Sequence, residues 1–339
     1  MRQRFPVGKL EPELLAELLG SLHIDDPAVI VGPGVGRDVA VLEWGQGDSY
    51  LIAKTDPITF ATDEIGHYAV SVNTNDVATS GGLPRWFLAT LLLPDEDSDE
   101  TLVRTIFKQI DEACREMDIA LVGGHTEVTY DLGRPILVGL MIGEVEKRNL
   151  VTSDGAQVGD RLLLTKRVAV EGTAIIAREM GQELIDRGFD EETVQRAAAM
   201  LHDPGISVLA EARAAVSAGE VHAMHDPTEG GVATGLHELA IASSTGIQVA
   251  HDQIPFYPQT QGFCEALGIE PLGLIGSGSL LIAAPPEDAE RIIDAIRERG
   301  VECADIGEVV EEAKGIMIRR GLDWFDLPRY DQDEIAKLF

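Results

Sequence analysis

Apolar positions along this chain recur with two periods. At helical spacing, Leu14, Leu15, Leu18, Leu19 and Leu22 predict an amphipathic helix over residues 12–22. Leu102, Ile106, Ile110, Ala113 and Met117 predict another over 100–117. Residues 66–80 read as a helix closed by Gly81-Gly82. Short apolar runs between turn residues predict strands at 39–42, 50–53, 86–93, 119–122 and 135–145. A polar connection over 147–160 interrupts the pattern, and the run at 162–164 opens a second series. That series predicts helices near 171–180, 204–218, 230–243 and 286–299, and strands at 278–284 and 305–310. The tail, 321–339, is polar and expected to pack loosely. Strands and helices alternate irregularly, which favours two α/β (α+β) domains, 1–150 and 151–339, over one doubly wound sheet.

Composition narrows the function. A chain of 339 residues has room for about two domains and needs no disulfide or metal to fold. Its formal charge of −31 disfavours nucleic acid and anionic membranes as partners. An anionic ligand such as ATP needs divalent cations, local positive charge or backbone N–H groups to enter such a field. Cys114, Cys264 and Cys303 form no C-x-x-C pair and lie among apolar neighbours, so they read as buried thiols. The first twenty residues lack a signal-peptide core and no run is long enough to span a membrane. The expected location is cytoplasmic.

Five segments carry candidate chemistry. The loop Gly32-x-Gly34-x-Gly36-x-Asp38 is not a dinucleotide fingerprint, because its spacing differs and a strand follows it instead of a helix. Nor does the chain hold a P-loop. In Lys54-Thr-Asp56-Pro, Asp56 ends an apolar run, where it either handles a metal or phosphate or caps the turn before Pro57. Asn73, Asp76 and Ser80 share a helix face without any Lys or Glu, a polar stripe suited to burial beside a site. Gly123-Gly124-His125-Thr126-Glu127 allows close backbone approach and points His125 and Glu127 to one side. The histidine is either a ligand or a hydrogen-bonded structural group. His225-Asp226-Pro-Thr-Glu229-Gly230-Gly231 opens a helix whose backbone N–H groups suit an anion.

The ordered set resembles the AIR synthase (PurM-like) superfamily from about Gly32 to Val310. The telling pieces are Gly36-Arg-Asp38-Val-Ala-Val, Thr55-Asp56, Asn75-Asp76-Val-Ala-x-x-Gly-Gly-x-Pro84, Gly123-Gly-His-Thr, Gly159-Asp160-x-Leu-Leu-Leu-Thr-Lys166, Asp226-Pro-Thr-x-Gly-Gly231 and Ser277-Gly-Ser-Leu-Leu. The hydrogenase-maturation branch is the most similar. The resemblance implies an N-terminal domain pairing strands across a homodimer, a C-terminal α/β domain, and a cleft for ATP and magnesium. It implies metal ligation by Asp38, Asp56, Asp76 and Glu127, the last standing in for the carboxylate that relatives carry at His125. It implies nucleotide contacts at Gly36, Asp38, Asn73, Gly123, Gly124, Thr126, Asp226 and Gly230, and catalysis by Asp76 and His125. The branch carries its substrate on a C-terminal cysteine, whereas the last cysteine here is Cys303, and the N-terminal segment lacks the reactive Cys of selenophosphate synthetases. The expected activity is Mg-ATP-dependent activation of an oxygen of a small amide, carboxylate or phosphate substrate. The alternatives are a nucleotide-binding scaffold without turnover and a hydrogenase-assembly partner.

Overall fold

The computed structural model describes residues 12–22, 25–34, 37–59, 63–330 and 332–339; Gly36 lies outside them. The first half runs α1 (Pro12–Gly20), β1 (Val29–Val31), β2 (Ala40–Glu43), β3 (Ser49–Ile58), α2 (Ile65–Thr79), β4 (Leu83–Pro94), α3 (Glu100–Glu116), β5 (Ala120–Thr129) and β6 (Ile136–Glu146). The second runs β7 (Arg161–Thr165), α4 (Val170–Glu179), α5 (Gly181–Asp186), α6 (Glu191–Ala198), α7 (Leu209–Ala218), β8 (Ala223–His225), α8 (Gly231–Ala242) and β9 (Gly246–Ala250). It closes with α9 (Pro258–Leu267), β10 (Leu281–Ala284), α10 (Pro286–Arg297), β11 (Cys303–Val310), β12 (Ile316–Arg320) and β13 (Asp323–Asp326). Two mixed sheets result, β1-β2-β3-β6-β4-β5 and β13-β12-β9-β11-β7-β10-β8. This is the two-domain α/β architecture that the irregular alternation implied. Among the described residues no helix is long and apolar enough to cross a membrane.

In the first sheet, burial alternates strictly along β6: Leu137, Gly139, Met141 and Gly143 are buried while Ile136, Val138, Leu140 and Ile142 are half-exposed. The period is the strand's own. One face is covered by α2 and α3; over the opposite face, with Leu88 and Leu92 of β4 beside those β6 side chains, no helix or sheet packs among the described residues. Helix α2 is where the two halves meet. All its residues but Val72 are buried. Val70 and Val77 pack into the first core, while Tyr68 and Ala78 pack into the two clusters of the second half. The Asn75 amide clamps the halves: Nδ2 donates to the Ile206 carbonyl at 2.9 Å and Oδ1 accepts from the Val208 N–H at 2.9 Å.

Several expectations need correction. The helix expected over 204–218 starts at Leu209, and the strand expected from Gly278 starts at Leu281, after a glycine at φ 107°. The leucine stripe of α1 is only partly covered: Leu14, Leu15 and Leu19 are half-buried, while Leu18 and, just beyond the helix, Leu22 are exposed. The tail does not pack loosely. β13 pairs with β12, Leu327 is buried, the Asp333 carboxylate accepts from the N–H groups of Gly230 (2.6 Å) and Ile275 (3.2 Å), and buried Glu334 accepts from Glu270 N–H. Capping groups for buried loop N–H donors hold it down, which charge counting along the sequence does not register.

Candidate functional site

In strand β3, Ile52, Lys54 and Asp56 fall on the face toward α2, because alternate strand residues share a side. Ile52 is fully buried against it; Lys54 and Asp56 continue the row toward the rim. There the Lys54 ammonium lies 3.2 Å from Asp76 Oδ2 of α2 and 3.8 Å from Asp56 Oδ2. From the loop before β2 comes Asp38, and from the end of β8 come His225 and Asp226. Donor atoms of these last three lie within 4.8 Å of one another. Two aspartates thus pair with one ammonium, and Asp38 and Asp226, from two further segments, lie close enough for their charges to act on it.

The electrostatics follow from burial. Asp76 is 5% exposed: desolvation pushes its pKa well up, Lys54 pulls it back, and Asp226, Asp38 and Asp56 push it up again. Asp226 is 2% exposed; burial and the charge of Asp38 raise it to about 7, against the pull of His225 and Lys54. Burial works against the Lys54 ammonium, but Asp76, Asp56 and Asp38 more than reverse it, so the amine titrates above its ordinary range. Asp226 Oδ2 is buried with no hydrogen-bond partner, and Asp76 Oδ2 has the Lys54 ion pair but no well-aligned hydrogen bond. Buried polar atoms are rarely left so. Oxygen donors short of partners, set among mutually repelling carboxylates, fit a hard divalent cation such as magnesium.

Beside Asp38 opens a cavity of about 270 Å³, lined by Arg37, Val39, Thr79, Ser80, Thr152, Ser153, Asp154 and Met224 among others. It runs between the halves of the molecule and has both polar and apolar walls.

The remaining sequence expectations at the site need correction or refinement. Asp56 does not end its strand: β3 continues to Ile58 with Asp56 opposite Gly139. Pro57 is tolerated because β2 pairs only as far as Ala53, leaving that flank of β3 free. Asn73 is fully buried beneath the sheet, its Nδ2 donating to the Ala69 carbonyl at 2.8 Å and the Asp56 carbonyl at 3.4 Å, so it braces β3 and does not face the cleft. Ser80 closes α2 by donating to the Val77 carbonyl. Gly123 to Glu127 do not follow a strand but lie inside β5, the sheet's outer strand. The strand bulges there, and a Cβ on Gly124 would stand 1.9 Å from the Ala89 carbonyl oxygen, so strand pairing requires this glycine. His125 and Glu127 do point to one side, 3.0 Å apart, but they are exposed. β6 and β4 separate their strand from Asp56, roughly 14 Å at ordinary strand spacing, so within one chain Glu127 does not join the aspartates. Thr126 is exposed on the same strand. The Gly230 N–H expected to meet an anion already donates to Asp333. Gly231 is needed because a Cβ would meet the Leu274 and Leu272 carbonyls at 2.5 and 2.6 Å.

Two participants went unassigned in the sequence reading. Lys54 shares the strand face of Asp56 two residues on, a signal available from alternation alone. Glu238 on α8, whose Oε2 lies 2.8 Å from His225 Nε2, is thirteen residues away in sequence and carries no local signal.

Comparison with known proteins agrees with this architecture. Residues 36–145 match the family model for AIR synthase related protein, N-terminal domain, and 157–319 match that for the C-terminal domain. The carbamoyl dehydratase HypE of Azotobacter vinelandii is 32% identical over 313 residues, covering 90% of this chain and 85% of the relative. Two solved structures show the same fold. One is the hydrogenase maturation protein HypE in complex with ATP (TM-score 0.72, 24% identity, 93% of this chain and 94% of that one). The other is a ThiL complexed with AMPPCP and TMP (TM-score 0.69, 23% identity, 90% and 91%). With both family models matched in order along most of its length, the chain belongs to the AIR synthase-related family.

Proposed function

We propose that this chain is a magnesium- and ATP-dependent enzyme that activates an oxygen of a small amide, carboxylate or phosphate substrate. The observation that carries the reading is the pairing of Asp56 and Asp76 with Lys54 beside the cluster of Asp38, His225 and Asp226, with buried carboxylate oxygens short of partners. A relative named as a carbamoyl dehydratase, and solved structures of a HypE with ATP and a ThiL with AMPPCP, support it. Asp56 and Asp76, with Asp38 and Asp226 beside them, would hold magnesium, which supplies charge neutralisation for the phosphates. Lys54, kept protonated by its carboxylates, offers a fixed donor to a phosphate oxygen once the aspartates are shared with a cation. The buried floor of the cleft keeps water from the transferring group. The cavity beside Asp38 suits the second substrate.

The same reading makes the protein a homodimer. The uncovered apolar face of the first sheet and the exposed outer strand β5 would meet a second copy, which could then bring His125 and Glu127 to a partner's cleft.

Calorimetric titration of ATP with magnesium tests the site. Asp76→Ala is expected to weaken binding at least about ten-fold, roughly the worth of one charge-assisted contact. Equal affinity in variant and wild type would remove the metal and nucleotide assignment.

A further inference from the structure

We propose that Lys166 is a positioning residue: through Glu211, Ser207 and Asn75 it fixes where α2 sits against the second half, and with it the carboxylate of Asp76. The inference rests on reading Asp76 as a cation ligand, and adds the device that sets its place. Lys166 directly follows β7, which lies between β10 and β11 in the middle of the second sheet. Its backbone is left-handed, with φ 50°. Glycine takes that conformation at less cost, so a lysine here is accounted for by what its side chain reaches. The ammonium is buried, the side chain being 4% exposed, and lies 2.8 Å from Oε1 of Glu211, whose side chain is 1% exposed. It also donates to the Ser207 carbonyl at 2.7 Å. Thr165 supports the pair: its hydroxyl donates to Glu211 Oε1 at 3.5 Å and accepts from the Leu280 N–H at 3.1 Å.

Segment 206–208 is thereby held from two sides. The Ile206 carbonyl and the Val208 N–H meet the two ends of the Asn75 amide, and the Ser207 carbonyl between them meets Lys166. Glu211 stands in the first turn of α7, so Lys166 ties down both the loop and the helix that follows it. A continuous polar path runs from the central strand β7 to Asn75, the neighbour of Asp76. Apolar packing is non-directional and does not set such a position. A two-point amide clamp fixes both the rotation of α2 and its placement along its axis. A buried ion pair is a poor source of stability, since apolar residues of similar volume often do as well, and its attested use is to specify register. Register matters here because ligand groups have to be held within about 0.5 Å of their working geometry.

The test replaces both members of the pair in the full chain, Lys166→Met together with Glu211→Met, because either change alone leaves an uncompensated buried charge. The urea midpoint is expected to stay close to that of the wild type. Amide hydrogen exchange in peptides spanning α2 should rise about ten-fold, and magnesium affinity, read by calorimetry, should fall about ten-fold, as small misplacements of working groups do. Exchange in α3 and α9 should stay as it was. Arg161→Met with Asp305→Leu is the control: it removes a bidentate pair, 2.8 Å at each oxygen, from the other end of β7, and should move neither the exchange of α2 nor the magnesium affinity. Unchanged exchange along α2, or unchanged magnesium affinity, overturns the proposal; so does loosening shared equally by α2 and α9. A double variant that fails to fold assigns the pair to stability and overturns it as well. A wild type that binds no magnesium, with α2 selectively loosened in the variant, removes the cation reading and keeps the placement of Asp76 by Lys166.

Discussion

At 3.2 Å from Asp76 and 3.8 Å from Asp56, the Lys54 ammonium separates two carboxylates that would otherwise repel across the floor of the cleft. Removing one partner of such a buried cluster costs more than the pair is worth, because the remaining charges stay desolvated. Lys54→Met is expected to lower the unfolding free energy by about 3 kcal/mol in chelator. Magnesium should restore a larger part of it than it adds to the wild type, since a cation can take the ammonium's place. Urea denaturation with and without magnesium reads both quantities, and an equal magnesium increment in the two proteins would sink the idea. The site was legible in sequence to the extent that its residues announce themselves locally. Asp38, Asp56, Asp76 and Asp226 stood out as carboxylates in apolar or glycine-rich company. Lys54 was visible only to strand alternation applied beyond the apolar run, and the pairing of Glu238 with His225 depends on how α8 lies against β8.

Helices α3 and α10 were legible because their apolar stripes face one core and their other faces meet water. Helix α2 was found from its pattern, but its true character, buried on every side, cannot show in amphipathicity. Strand β5 was cut short at Gly123 because two glycines read as a terminator, whereas here they accommodate a bulge. The three-residue strands β1 and β8 are too short to show any period, and β8 carries His225. At the start of α4, Glu171 offers a test at this scale. It is 6% exposed and Oε2 lacks a partner. Burial raises its pKa, hydrogen bonds from Ser277 pull it back, and the charges of Asp333 and Glu229 add to the rise, leaving it at about 7. The unfolded chain loses this proton near 4.5 and the folded one near 7, so stability present at low pH is lost as pH rises between them. The unfolding free energy of Glu171→Gln relative to wild type is expected to grow by about 3 kcal/mol between about pH 5 and about pH 8, as measured by denaturant titration. A difference independent of pH would show that Glu171 stays ionised in the fold.

Among the described residues, α2 and α3 cover one face of the first sheet and leave the other, with the outer strand β5, open. An exposed apolar edge of that kind is ordinarily blunted or paired. Val128 on β5 is 59% exposed, and Val128→Lys should convert a dimer to a monomer in sedimentation velocity. A wild type that sediments as a monomer, or a variant unchanged as a dimer, would rule out this face as the contact. The strand order also has a bearing on how the protein is made. Every strand of the first sheet lies before residue 147, so that sheet can assemble while the rest is still being translated. The second cannot: β7, its earliest strand, sits between β10 and β11, and α8 receives its capping carboxylate from Asp333. Until those late segments leave the ribosome, α2 has its sheet on one side and no partner for Tyr68, Asn75 or Ala78 on the other. The nascent chain thus carries a half-covered helix through most of the synthesis of its second half, and that is the interval in which a chaperone would find something to bind.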